Sequence, residues 1–298
     1  MDDLKPALER IVVGMDLRMP SIEAARWVAT TFAPGAELVM TYALELHATD
    51  LAGIPKPSAR GGPKDVQAAR QQLHEVTREL AALGSYRVEV REDGAARTIL
   101  AVATECGGDL IVVGPHGGRE TPRGIGTTAE RLIRTSPVPV LLVSQPRLRG
   151  LKQLLVPVDG GDLTRMVLEW ADFVAKRDGA EMALMHVLDP TTQAPASSAA
   201  TRDDRWLSSL ARDGPEPNRT TSFTVSGKPA DEILAATARL DADLIVMGRR
   251  GRRRVLSGVV GSTASDTLRN APCPVLIIVD PPNAIVDEWL TTESQSSG

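Results

Sequence analysis

The strongest constraint on this chain is that it is written twice. Ile11-Val12-Val13-Gly14-Met15-Asp16 matches Leu154-Leu155-Val156-Pro157-Val158-Asp159, an apolar run ending in aspartate each time. Eleven residues beyond each aspartate stands a tryptophan, Trp27 in one copy and Trp170 in the other, in a chain with 4 tryptophans. Gly108-Asp109-Leu110-Ile111-Val112-Val113-Gly114 matches Ala242-Asp243-Leu244-Ile245-Val246-Met247-Gly248. Each copy closes on a proline-flanked apolar run, Ser136-Pro137-Val138-Pro139-Val140-Leu141-Leu142-Val143 and Ala271-Pro272-Cys273-Pro274-Val275-Leu276-Ile277-Ile278. A chain of 298 residues repeated in this way folds as two copies of one domain.

Within a copy, short apolar runs alternate with longer amphipathic segments. The first copy places strands at 11–15, 37–43, 86–91, 109–113 and 139–143, with helices over 20–32, 63–83, 95–106 and 127–135. The second places strands at 153–158, 181–187, 221–226, 243–247 and 275–279. Apolar strands without polar alternation belong to a parallel sheet buried on both faces. The expected fold is α/β, two tandem open five-stranded parallel-sheet domains with helices on both faces, Rossmann-like. The expected boundaries are 1–146 and 150–281, followed by a C-terminal tail, 282–298. Residues 47–63 and 189–218, rich in Pro, Gly and small residues, read as loops or mobile excursions between the second and third strands.

Composition narrows the function. Apolar residues make up 42% and aromatics only 3%, so Val, Leu, Ile and Ala must fill the core. A net charge of −4 offers no general attraction to nucleic acid or to an anionic membrane surface. No apolar run approaches the roughly 18 residues that span a bilayer. The two cysteines, Cys106 and Cys273, occupy non-equivalent positions, so a disulfide framework or thiolate metal site is not expected and a reducing cytoplasm fits. The acidic start, Met1-Asp2-Asp3-Leu4-Lys5, lacks the apolar core of a signal peptide, and the expected location is cytoplasmic.

Chemistry concentrates after the fourth strand of each copy. In the second copy the strand runs into Gly248-Arg249-Arg250-Gly251, and nine residues later Gly261-Ser262-Thr263 opens a helix. A glycine at a strand end permits close backbone approach to a ligand. A glycine-hydroxyl cluster at a helix start offers free amides, hydroxyls and the positive end of the helix dipole, which together suit anionic oxygen. A lone glycine would be read as a turn former; the spacing of the whole set favours the anion site. The first copy keeps Gly114-Pro115-His116-Gly117, but only eight residues separate Gly117 from Gly126-Thr127-Thr128. A loop shortened by one residue either closes on a phosphate or binds weakly, and the sequence leaves both open.

With these motifs the chain resembles the universal stress proteins of the tandem, two-domain kind. The Gly, two residues, Gly, nine residues, Gly, Ser pattern of 248–262, the strand-ending aspartate, Gly227-Lys228-Pro229-Ala230 and the closing Pro-Cys-Pro-Val all fit. The resemblance implies an adenine-nucleotide α-hydrolase-like sheet that binds ATP with Mg2+. It would place Asp159 by the adenosine and ribose, Val187 against adenine, Gly248 and Gly251 by the ribose and α-phosphate, and Gly261, Ser262 and Thr263 on the outer phosphates. In the first copy the corresponding residues are Asp16, Ala43 in place of the valine, Gly114, Gly117, Gly126, Thr127 and Thr128. It also implies that the closing strands pair to make an internal pseudo-dimer, and it allows a homodimer of tandem chains.

Other readings are weaker. Arg249, Arg250, Arg252, Arg253 and Arg254 form a basic cluster that either meets phosphates or stays solvated in its loop. His116 and His186 lack cysteine or carboxylate neighbours at ligand spacing, and Cys273, between two prolines, suits packing. No Gly-x-x-x-x-Gly-Lys-Ser/Thr loop, Gly-x-Gly-x-x-Gly fingerprint or Gly-x-Ser-x-Gly elbow occurs, and no catalytic base stands beside the glycine loops. The expectation is nucleotide binding in stress regulation with little or no hydrolysis. An interaction protein of the same fold and a slow ATPase remain the alternatives.

Overall fold

The computed structural model describes residues 8–44, 65–115, 125–147, 149–189, 196–214, 216–250 and 260–279. Gly117, Gly251, His116, Arg252, Arg253 and Arg254, the stretch 47–63 and the tail 282–298 lie outside them. The first half runs β1 (Arg10–Met15), α1 (Met19–Trp27), β2 (Glu37–Ala43), α2 (Val66–Thr77), β3 (Tyr86–Arg91), α3 (Ala95–Cys106), β4 (Leu110–Val113), α4 (Thr127–Thr135) and β5 (Val140–Leu142). The second runs β6 (Gln153–Pro157), α5 (Thr164–Asp178), β7 (Glu181–Leu188), α6 (Ala196–Asp213), β8 (Thr220–Ser226), α7 (Pro229–Arg239), β9 (Leu244–Gly248), α8 (Ser262–Asn270) and β10 (Val275–Ile278). A π-helical turn, Val28–Phe32, extends α1, and a 3-10 turn, Arg78–Ala82, extends α2.

Strand order is β3-β2-β1-β4-β5-β10-β9-β6-β7-β8. Every pairing within a half is parallel. The halves join where β5 and β10 pair antiparallel, with Leu276 opposite Leu141, Val275 opposite Leu142 and Ile277 opposite Val140. These six side chains are at most 3% exposed. A bare apolar edge invites association, and each closing strand here covers the other.

Strand residues alternate between two cores, one on each face of the ten-stranded sheet. Ile11, Val13, Leu141, Leu154 and Leu276 face α1, α2, α5 and α6. Val12, Val140, Leu155 and Val275 face α3, α4, α7 and α8. Both cores cross the β5–β10 seam without interruption. The few rings concentrate in the first of these cores, which buries Trp27, Phe32 and Trp170, and the second is built almost wholly from aliphatic side chains.

The expectation that 189–218 is a loop is corrected by α6, an 18-residue helix inside that stretch. Its Leu207 is 1% exposed and its Ala211 7%, and Trp206 and Leu210 pack at the edge of the same core. Burying one leucine contributes about 2 kcal/mol, which outweighs the weak helix preference of the small polar residues before it. The strand ends differ from expectation by a residue or so, as at Leu110–Val113 and Glu181–Leu188.

Candidate functional site

The carboxyl ends of β6, β7 and β9 lie side by side and carry Asp159, Val187 and Gly248. Gly261 joins them because its N–H donates to the Arg249 carbonyl at 3.0 Å, drawing the start of α8 against the end of β9. The Arg249 N–H in turn donates to the Ile278 carbonyl at 2.8 Å, which anchors the turn to β10. Crevices beyond the carboxyl ends of strands are where open α/β sheets take ligands.

Asp159 shapes the turn from β6 into α5. Its Oδ1 accepts from the Gly161 N–H at 2.9 Å, and Gly160 between them sits at φ 74°. Asp16 does the same work in the first half, where its Oδ1 accepts from Arg18 N–H at 3.0 Å and from Ser21 Oγ at 2.7 Å. There Leu17 holds the left-handed conformation at φ 62°, a costlier choice than glycine. Both aspartates therefore have a structural role in their turns.

Val187 is half-buried on β7. The register confirms its counterpart: Gly14 pairs with Thr41 as Pro157 pairs with Met185, so Ala43 and Val187 occupy equivalent positions. Beside Val187, His186 is 4% exposed and its Nδ1 lies 2.8 Å from the Val158 carbonyl. Because a carbonyl only accepts, Nδ1 carries the hydrogen and ties β7 to the residue before Asp159. The other ring nitrogen lies 3.8 Å from Asp203 Oδ2 on α6, and the Trp206 ring packs edge-on against the imidazole. Among the described residues no group of three or more His, Cys, Asp or Glu is placed to hold a metal ion.

The helix starts carry the phosphate-type donors. Gly261 caps α8, and the first internal bond recorded there runs from Ser265 N–H to the Gly261 carbonyl. The amides of 262, 263 and 264 precede it and need partners from outside the helix. Ser262 is exposed, Thr263 half-buried, and the first turn of α8 contains no acidic residue. Gly126 likewise caps α4, with Thr127 exposed and Thr128 half-buried, but there Glu130 stands in the first turn. A carboxylate at a helix start satisfies the dipole that a phosphate would otherwise satisfy, and repels that phosphate. Glu130 is a difference between the halves that loop spacing does not show; comparing it with Ser265 reveals it in the sequence.

Two glycines prove to be packing residues as well. A Cβ on Gly114 would stand 3.3 Å from the Pro20 carbonyl oxygen, and one on Gly248 would stand 3.3 Å from Leu163 Cβ at the start of α5. The arginine cluster also divides. Arg249 is no solvated loop residue: it is 7% exposed, and its Nη1 donates to the Arg134 carbonyl at 2.6 Å and the Ile133 carbonyl at 3.3 Å. Those carbonyls end α4, in the other half of the chain. Cys273 is 1% exposed, and burial pushes its thiol up to about 12, so it packs as an apolar side chain.

A duplicated parallel sheet whose second copy gathers an aspartate, a strand-end glycine and a Gly-Ser-Thr helix start defines a tandem α/β protein of one class. The Universal stress protein family matches residues 7–144 and again 150–279, and the chain belongs to that family. It is 24% identical over 286 residues to a universal stress protein of Mycobacterium tuberculosis, covering 90% of this chain and 96% of that protein. A universal stress protein of Methanocaldococcus jannaschii is 28% identical over 141 residues, 44% of this chain and 83% of its own length. The crystal structure of a universal stress protein from Archaeoglobus fulgidus shares the fold, with a TM-score of 0.64, 18% identity, and coverage of 91% of this chain and 98% of that one. No helix among the described residues is long and apolar enough to cross a membrane.

Proposed function

We propose that the protein is a cytoplasmic stress-response regulator that binds ATP with Mg2+ in its second half and hydrolyses it slowly or not at all. The observation that carries this reading is the Gly261–Arg249 hydrogen bond, which gathers the amino end of α8 with Gly248 and Asp159. A triphosphate there would meet first-turn amides, the Ser262 and Thr263 hydroxyls and the positive end of the α8 dipole. Gly248 would border the ribose and α-phosphate, Asp159 the ribose hydroxyls, and Val187 the adenine. Mg2+ would neutralise the bound phosphates.

Binding without turnover is favoured because the motif supplies donors and a single acid, Asp159, already engaged with Gly161. Hydrolysis needs a group that orients water and a charge on the leaving phosphate. The first half is proposed as the weaker site, since Glu130 opposes a phosphate at α4 and Ala43 offers less surface than Val187. Both closing strands are used in the internal pairing, so a homodimer of tandem chains would join through other surfaces; light scattering after size exclusion measures its presence.

One observation favours a second reading, an interaction protein of the same fold that needs no nucleotide: the contact of Gly248 with Leu163 gives the glycine a packing reason of its own. Thermal unfolding with Mg-ATP separates the two. A ligand at a hundred times its Kd stabilises the folded state by about 2.7 kcal/mol, so wild type should melt several degrees higher and Thr263→Glu should not. No shift for wild type at millimolar Mg-ATP would remove the nucleotide reading. Phosphate release above the Thr263→Glu background would make the protein an ATPase instead.

A further inference from the structure

Arg249 belongs to both halves of the molecule. Its backbone is part of the second-half site, since its carbonyl holds the Gly261 N–H at 3.0 Å. Its side chain leaves that half, and the guanidinium donates to the carbonyls of Ile133 and Arg134 at 3.3 and 2.6 Å. Last-turn carbonyls have no partner within their own helix, and they carry the negative end of its dipole. The helix they end, α4, covers Thr127–Thr135 and rises about 13 Å. Its other end, at Gly126 and Thr127, is the first half's candidate phosphate position. The connection exists once, because Pro115 stands at the position equivalent to Arg249, and its ring carries no donor.

We infer that Arg249 couples nucleotide occupancy of the second half to the order of α4, the phosphate helix of the first half. The inference rests on the nucleotide-binding reading above. A ligand seated on Gly261 restrains the Arg249 backbone, and Nη1, shared between two carbonyls, passes that restraint to the end of α4. Ordering shared in this way couples two sites without a change of shape. Linkage makes the effect mutual, so a ligand that steadies α4 also favours binding in the second half.

Amide hydrogen exchange across residues 127–136 tests the coupling, in a Thr128→Glu chain whose added carboxylate keeps ATP phosphates off α4 itself. Saturating Mg-ATP should slow exchange there at least about fivefold, the lower end of ordinary coupling strengths. The slowing should vanish when Arg249→Met is added. With Arg249→Lys, which keeps the charge but shortens the side chain by one bond and loses the planar guanidinium, it should be reduced to less than half; this variant serves if the methionine chain fails to fold. Calorimetry on the same samples reads binding separately. Binding with unchanged exchange over 127–136, or with equal slowing in chains that lack the arginine, overturns the coupling alone. No binding overturns both the nucleotide reading and the coupling.

Discussion

A methyl group on Gly248 would stand 3.3 Å from both Cβ and Cδ1 of Leu163, so the end of β9 and the start of α5 touch directly. The same methyl would meet the Arg250 carbonyl oxygen at 3.3 Å. The residue that the motif assigns to a ligand is thus also demanded by the chain itself. Gly248→Ala is expected to lower stability by about 1 kcal/mol through overpacking, read as a lower denaturant midpoint without ligand. Thr263→Glu, at a helix start, should stay within about 0.5 kcal/mol of wild type. A Gly248→Ala chain as stable as wild type would show that the contact relaxes freely.

The linker is clasped onto the second half. The guanidinium of Arg147, and then that of Arg149, hydrogen-bonds the Asp241 carboxylate and brings its pKa from 3.8 down to about 2. Because the folded value lies below the ordinary one, the clasp contributes fully above about pH 4 and is lost as pH falls through 2. Asp241→Asn should therefore lose less stability than wild type between pH 4 and pH 2. Urea titrations at steps through that window check the difference in slope, and equal slopes would dismiss the clasp.

The two thiols should separate by reactivity. Cys273 is buried with its pKa raised to about 12, whereas Cys106 is half-buried at the end of α3. The thiolate is the reactive form. At pH 8 an aromatic disulfide reagent is expected to modify Cys106 in the native protein and to reach Cys273 only on unfolding. Rapid native labelling of Cys273 would mean that the β10 region opens readily.

The seam between the halves should be as costly to damage as any core. Leu276 and Leu141 face each other across β10 and β5, each 0% exposed. Leu276→Ala should cost about 3 kcal/mol, the transfer loss plus the cavity left behind. Chemical unfolding measures it. A loss below about 1 kcal/mol would mean that the two halves fold without leaning on their joint.

Much of the fold is legible along the chain because it depends on near neighbours. Apolar runs such as Ile11–Met15 and Leu244–Met247 are strands wherever two covered faces await them, and their aspartate or glycine ends mark the turns. The segment carrying α6 is harder to read. Its helical stripe is short, Trp206, Leu207, Leu210 and Ala211, and lies among prolines, serines and threonines that argue for a loop. Only contact with the core beside β7 and β8 settles it. In the candidate site, Asp16, Asp159 and the Gly-hydroxyl helix starts stand out by spacing. Glu130 takes a comparison of the two copies, and Leu163 has no signal of its own.

By itself the sequence determined the duplication, the parallel order within each half and the inequality of the two glycine loops. These follow from periodicity and spacing, which the backbone converts directly into strand, turn and helix. Tertiary structure alone decided where Arg249 goes. It meets Arg134, 115 positions away in the chain, because β5 and β10 pair antiparallel and bring the end of α4 against the turn after β9. Reading residue by residue, an arginine beside a glycine in a basic loop is either a phosphate contact or a solvated charge. Buried against the last-turn carbonyls of another helix, it becomes a tie between the halves, because those carbonyls lack partners within their own helix.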